Sequence, residues 1–266
     1  MQRIRVLSYN IQAGIGTQRY RDYVTHSWKH LLPHRSRERN LNRISGLLHS
    51  YDLVGLQEVD SGSLRTGFID QTQYLAKLAG FPHWHKQVNR NLGKLAQHSN
   101  GLLSHLRPSS ITEHNLPGLP GRGAILCRFG DSGHELVVCI LHLALGRRAR
   151  MRQVSYISEL MAGCPYSIIM GDLNCGSDSP EVALLMERLN LWEPITEEST
   201  FPSWRPKKKI DHILVSSTLG IERAQVLDYA CSDHLPISLD VLLPEGFAPV
   251  SRQIKPIGGR PPGIAA

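Results

Sequence analysis

The chain has 266 residues, 41% hydrophobic and 20% charged, which is enough apolar surface for a packed core and excludes a compositionally disordered protein. Its formal net charge of +7 favours anionic partners such as nucleic acid, phosphorylated metabolites or lipid headgroups. Five cysteines without a CxxC pair, a start at MQRIRVLSYN with no signal core, and no apolar run near the ~18 residues that span a bilayer point to a reduced, cytoplasmic, soluble protein that could still touch a membrane peripherally.

Residues 3–10 (RIRVLSYN) alternate as a strand, and residues 16–40, polar and rich in His and Arg, read as a long loop or short helix over one rim. Leu41, Ile44, Leu47 and Leu48 recur at helical spacing, after which 52–60 (DLVGLQEVD) reads as a buried strand ending in acids. A helix over 70–79 stops at Gly80 and Pro82. Strands are expected at 83–88, 99–104, 109–115, 122–128 and 134–142, with a turn at 116–123 (LPGLPGRG). An amphipathic helix over 147–162, a strand at 165–170 and a helix at 179–189 precede strands at 210–216, 221–229 and 236–243. The Pro- and Gly-rich stretch 244–266 reads as a flexible tail after a single domain, 1–243. Many strands with few helices suggest sheets packed face to face with helices outside.

The strands share a peculiarity: their ends carry residues that bind metal, phosphate or a proton. Asn10 ends RVLSYN, Glu58 ends LVGLQE, and His142 ends LVVCILH. Asp172 and Asn174 end SIIMGDLN, Asp211 opens IDHILVS, and Asp233 and His234 open SDHLPIS. Singly, Asp and Asn are ordinary turn formers; together on one rim they converge on rigid supports. Glu58 offers a hard oxygen for Mg²⁺ or Mn²⁺. Asn10 and Asn174 can donate to a phosphate oxygen, Asp172 can orient or deprotonate water, Asp211 can hold His234 in one tautomer, and His142 can donate to developing charge. A zinc protease, a P-loop nucleotide enzyme and a serine hydrolase are disfavoured, because HExxH, GxxxxGK[ST] and GxSxG are all absent.

These motifs, SYNIQ (8–12), LQEVD (56–60), HL (142–143), GDLN (171–174), IDHILV (210–215) and SDHLPI (232–237), with NGLLS (100–104) and RGAIL (122–126) beside them, resemble the endonuclease/exonuclease/phosphatase superfamily. That superfamily includes pancreatic-type deoxyribonuclease, exonuclease III, neutral sphingomyelinases and inositol polyphosphate 5-phosphatases. The resemblance implies a four-layer α/β sandwich of two mostly antiparallel sheets. It implies metal at Glu58 with Asn10 beside it, water handling by Asp172, phosphate contact by Asn174, an Asp211–His234 pair, and Asp233 supporting metal or histidine. It also implies a carboxylate that orients His142; Asp60, Asp70 and Glu113 are its candidates. Abasic-site members keep tyrosine at the position of His142, which argues against that specialisation.

Substrate contacts are expected from Arg147, the first of the arginines Arg147, Arg148, Arg150 and Arg152, from Lys209 just before Asp211, and from Trp204 and Arg205 in FPSWRP, which could stack on a base or headgroup. His26, Trp28, His30 and His34 read as surface loop, His83 and His85 as outward residues of a strand, and His212 as a structural residue facing away from Asp211. The function expected is a Mg²⁺-dependent phosphoesterase, acting as a monomer on a phosphodiester of nucleic-acid or lipid-headgroup type. The alternatives are a phosphomonoesterase acting on an inositol phosphate or similar small molecule, and a non-catalytic binding protein on the same fold.

Overall fold

A computed structural model describes residues 2–17, 34–93, 95–131, 135–244 and 247. Two six-stranded sheets make up its centre. The first contains β1 (Gln2–Asn10), β2 (Leu53–Asp60), β3 (His83–Asn91), β4 (Gln97–Ser104), β11 (Gly220–Val226) and β12 (Ile237–Leu243), in the order β11-β12-β1-β2-β4-β3. The second contains β5 (Ser110–Asn115), β6 (Gly123–Phe129), β7 (Leu136–His142), β8 (Tyr166–Asp172), β9 (Leu191–Trp192) and β10 (Asp211–Ser216), in the order β5-β6-β7-β8-β10-β9. Each sheet has one parallel pair at its centre, β1 with β2 and β7 with β8, and antiparallel neighbours around it.

Alternation along the strands divides their side chains between two layers of core. Ile4, Val6, Leu53, Ile140, Met170, Ile213 and Leu239 fill the space between the sheets. Leu7, Tyr9, Leu56 and Leu103 meet residues of α1 (Arg35–Leu48) and α2 (Gln71–Ala79) on the outside of the first sheet. Cys139, Leu141, Ile169 and Leu214 meet residues of α3 (Arg147–Leu160) and α4 (Pro180–Leu189) on the outside of the second. Two sheets and two helical layers give the four-layer sandwich that the motifs implied. Side-chain acceptors cap α2 and α4: Asp70 accepts from Thr72 N at 3.0 Å and Gln73 N at 3.2 Å, and Ser179 accepts from Val182 N at 3.3 Å with Pro180 opening the first turn.

Two expectations need correcting. The 16–40 stretch is helical from Arg35 onward, capped by His34, whose Nδ1 accepts from Ser36 N at 3.1 Å; residues 18–33, with His26, Trp28 and His30, lie outside the described residues. The body also continues past residue 243, since Phe247 is buried in the core between the sheets; the rest of the expected tail, from 248, lies outside the described residues.

Two glycines set close approaches. At Gly55 on β2, a Cβ would stand 2.9 Å from Met170 Cε across the core, so side chains of the second sheet pack directly on the bare backbone of β2 there. Gly171 on β8 has φ +147°, and a Cβ would fall 1.9 Å from the Leu141 carbonyl oxygen on β7. Gly171→Ala therefore forces backbone apart beside Asp172 and is expected to destabilise the fold by about 3 kcal/mol or more, measurable as a lowered urea midpoint.

Candidate active site

The two parallel pairs end on the same rim, and the functional side chains stand at their ends. Asn10 closes β1, and Glu58 sits near the end of β2 on a bulge, where Gln57 and Glu58 together face the single residue Asn100 of β4. Glu58 has φ +54°, a strained conformation for a non-glycine residue, and the bulge turns its carboxylate toward the site rather than into the pleat. From the other sheet, His142 pairs with Asp172 in the parallel ladder, and Asp172 pairs with Asp211 in the antiparallel one. Asn174, φ +53°, follows in the turn that Gly171 opens, while Leu173 turns back into the core.

Asp172 Oδ2 is the centre of this arrangement. Asn10 Nδ2 donates to it at 3.1 Å, with His142 Nε2 at 3.5 Å and His234 Nε2 at 3.9 Å. Asp172 Oδ1 accepts from Asn174 N at 2.9 Å. His234 Nδ1 meets Asp211 Oδ2 at 2.8 Å, and that same oxygen accepts from Thr200 Oγ1 at 2.5 Å. The Phe201 ring packs against the His234 ring, with centroids 4.9 Å apart.

Burial and neighbouring charge set the protonation states. Burial opposes charge on His234, but Asp211, Asp172 and Asp233 outweigh it and hold the imidazolium up to about 10. Burial, with Asp211 and Glu58 nearby, pushes the Asp172 carboxyl up to about 7. His142 is held well below its ordinary value by burial, and then by Arg122, His234 and His98. Burial and the adjacent Asp233 raise Glu58, although His234, Arg122 and an Asn10 hydrogen bond favour its charge.

Glu58 and Asp233 are carboxylates near enough for Asp233 to raise the Glu58 pKa, hard-oxygen donors of the kind a divalent cation takes. Asp172, Asp211 and His234 also place one ligand atom each within 4.8 Å of one another. There, however, Asp211 and His234 are hydrogen-bonded to each other, which is the geometry of an oriented imidazole. Asn10, expected with the metal group, uses its amide as a link: Oδ1 accepts from Gln12 N at 3.1 Å and Nδ2 donates to Asp172. Asn174 commits one amide hydrogen to the Leu143 carbonyl at 2.9 Å.

None of the three carboxylates expected to orient His142 does so. Asp60 accepts from Gly62 N, Ser63 N, Ser63 Oγ, Arg65 Nε and Thr66 Oγ1 at 2.6–3.0 Å and holds the 61–66 loop. Asp70 caps α2 and pairs with Lys86, and Glu113 pairs with His85 at 2.8 Å. Lys209 is corrected too: its ammonium pairs with Glu193 at 2.5 Å and with the Ile195 carbonyl, rather than facing solvent. Arg147 is exposed at the start of α3, and Trp204 and Arg205 lie on the loop that Phe201 anchors against His234.

The motifs gave no role to two groups beside the site. Arg122, just before β6, acts electrostatically on Glu58 and Asp172 as a cation, and His98, which burial and Arg65 depress to about 4 and so leave uncharged at neutral pH, lies near His142. Arg122 heads the RGAIL motif, and its place ahead of a strand starting on this rim was the available signal. His212 faces away as expected, joined to Glu193 at 2.7 Å and to the Cys175 carbonyl at 2.8 Å. It thereby ties β10 to the turn that carries Asn174.

Solved structures with this architecture include an endonuclease/exonuclease/phosphatase family protein from Bacteroides thetaiotaomicron (18% identity, TM-score 0.69, 90% of this chain and 97% of that one). A mannosyl-6-phosphatase from the same species is similar (18%, 0.67, 90% and 99%), as is the human Nocturnin catalytic domain with a bound sulfate anion (19%, 0.68, 91% and 94%). At these identities the likeness concerns the fold. No curated protein matches the sequence. The family model described as Endonuclease/Exonuclease/phosphatase family matches residues 7–234, from β1 through His234 and every residue of the rim between them, and the chain belongs to that family.

Proposed function

We propose that the protein is a Mg²⁺- or Mn²⁺-dependent phosphodiesterase, with residues 1–243 as one catalytic unit extended by Phe247. The observation that carries this reading is the convergence on Asp172 Oδ2 of Asn10, His142 and the Asp211-held His234. Glu58 and Asp233 would hold the cation, and when bound it would polarise the phosphoryl group and acidify water.

Asp172, titrating near neutrality, suits a general base that takes a proton from the attacking water. His234, charged and fixed by Asp211, donates to oxygens that gain charge as the phosphorus becomes five-coordinate. His142, held uncharged, brings an N–H into the same space without adding to the positive charge. The second amide hydrogen of Asn174, whose first goes to the Leu143 carbonyl, would serve a non-bridging oxygen. Arg147 at the start of α3 and Trp204 and Arg205 on the loop after Phe201 are proposed to contact the rest of the substrate, which would meet a monomeric, cytoplasmic enzyme.

A phosphomonoester is the second reading. The charged Arg122 and His234 beside His142 suit a dianion better than a diester's single charge, and the fold neighbours include a mannosyl-6-phosphatase.

Bis-p-nitrophenyl phosphate and p-nitrophenyl phosphate separate the two readings. The diester is expected to turn over at least ten-fold faster, with activity abolished by EDTA, restored by Mg²⁺, and reduced about 10²-fold or more in Glu58→Gln. EDTA-insensitive activity, or an unaffected Glu58→Gln enzyme, refutes the metal assignment.

A further inference from the structure

Large exposed apolar side chains gather on the loops around the site. Leu92 (44% exposed) and Leu95 (53%) lie in the β3–β4 hairpin, Leu119 (86%) in the β5–β6 loop, and Leu145 (75%) between β7 and α3. Single exposed leucines are ordinary; four on adjoining loops are not.

The loops do adjoin. A Cβ on Gly121 would stand 3.2 Å from Arg90 Cδ, which joins the β5–β6 loop to the hairpin. Buried Gln153 accepts from Ala144 N at 2.9 Å and donates to the Pro117 carbonyl at 3.1 Å, tying the Leu145 loop to the Leu119 loop. Arg150 donates to the Leu145 carbonyl and pairs with Glu181 at 2.8 Å, so that Leu145 projects from a braced turn. The active site opens beside this surface, since Arg122, at the end of the Leu119 loop, acts on both Glu58 and Asp172.

Charge supplies the second half of the argument. Residues 88–97, 115–122 and 143–152 contain no Asp or Glu, and they expose Arg90, Arg147, Arg148 and Arg152, while Arg150 pairs with Glu181 and Arg122 acts on Glu58 and Asp172. They also contain no Phe, Tyr or Trp. Leucine tips ringed by arginines complement a bilayer, with the apolar groups entering the headgroup–acyl boundary and the guanidinium groups meeting anionic headgroups. A single-stranded nucleic acid would instead call for aromatic stacking platforms.

We infer that this rim is a docking surface for a membrane bearing anionic lipids, which holds the active site at headgroup level and makes a phospholipid headgroup ester the substrate class. The docking stands on its own observations; the substrate class rests also on the phosphoesterase reading above.

The test uses the full chain with vesicles of phosphatidylcholine, with and without phosphatidylserine, in a sedimentation assay. Wild type and Asp172→Asn are both expected to bind the anionic vesicles, more weakly as salt is raised. A Leu119→Ser/Leu145→Ser double variant should bind at least ten-fold more weakly, with unchanged melting temperature and unchanged hydrolysis of bis-p-nitrophenyl phosphate. No binding to anionic vesicles, or binding indifferent to the leucine substitutions, overturns the proposal. Salt-sensitive binding of single-stranded DNA that the same variant abolishes, without vesicle binding, would assign the surface to nucleic acid and overturn it equally. If Asp172→Asn and wild type bind vesicles alike while neither hydrolyses any ester, the phosphoesterase reading fails and the docking surface survives.

Discussion

Asp172→Asn is expected to lower kcat on bis-p-nitrophenyl phosphate by about 10²–10⁴-fold, the usual contribution of a positioned general base, with little change in KM. The side chain keeps its size but loses its ability to take a proton. Both its oxygens accept from the protein, Oδ1 from Asn174 N and Oδ2 from Asn10 Nδ2, so an asparagine must turn its NH₂ toward one of these donors in either orientation. That mismatch costs about 1–3 kcal/mol, which circular dichroism and urea melts would separate from the rate loss. A folded variant slowed less than ten-fold would remove Asp172 from the role of base.

The second large effect concerns the Asp211–His234 pair and is read as stability against pH, in EDTA. The folded state holds the His234 proton up to about 10, whereas the unfolded chain releases it near 6.5. Below 6.5 both states are protonated and the full stabilisation is present. Between there and about 10 only the folded state keeps the proton, so stability drains as pH rises. Asp172 acts in the same direction over a lower window, because its folded value of about 7 lies above its ordinary 3.8. Asp211→Asn is expected to reduce stability at neutral pH by about 3 kcal/mol, since it breaks a buried pair from one side, and to flatten the loss above pH 6.5. An alkaline slope unchanged in the variant would show that His234 is not held as the geometry indicates.

How far the sequence carried these conclusions depended on the range of the interaction. Strands of alternating or continuous apolar residues could be read locally, and so could their polar ends, because Asn10, Glu58, His142 and Asp172 each close an apolar run. Most strand boundaries held to within a few residues; the two-residue β9 was too short to register. Apart from the Asp211–His234 pair, pairings between distant segments were illegible: nothing near Lys209 in sequence marks Glu193 as its partner. Asp60 is the opposite case, saturated by residues 62–66 of its own loop. The groups around His142 include Arg122, just before β6 of one sheet, and His98, on β4 of the other, so only the assembled sandwich brings them together. The bulge at Glu58 escaped notice because a strand with one extra residue has the same apolar pattern as a regular one.

The contact at Gly55 has a consequence beyond packing. Asn10 belongs to one sheet and Asp172 to the other, so their 3.1 Å hydrogen bond bridges the gap between the two halves of the molecule. Two register positions beneath the rim, Gly55, opposite Ser8 on β1, leaves room for the Met170 and Ile140 side chains of the other sheet. The interlayer packing is thus a catalytic dimension: a methyl group added at Gly55, just beneath the rim, would press on Met170 and Ile140, the residues two before Asp172 and His142, and bear on the meeting of base and donor without altering a residue of the site.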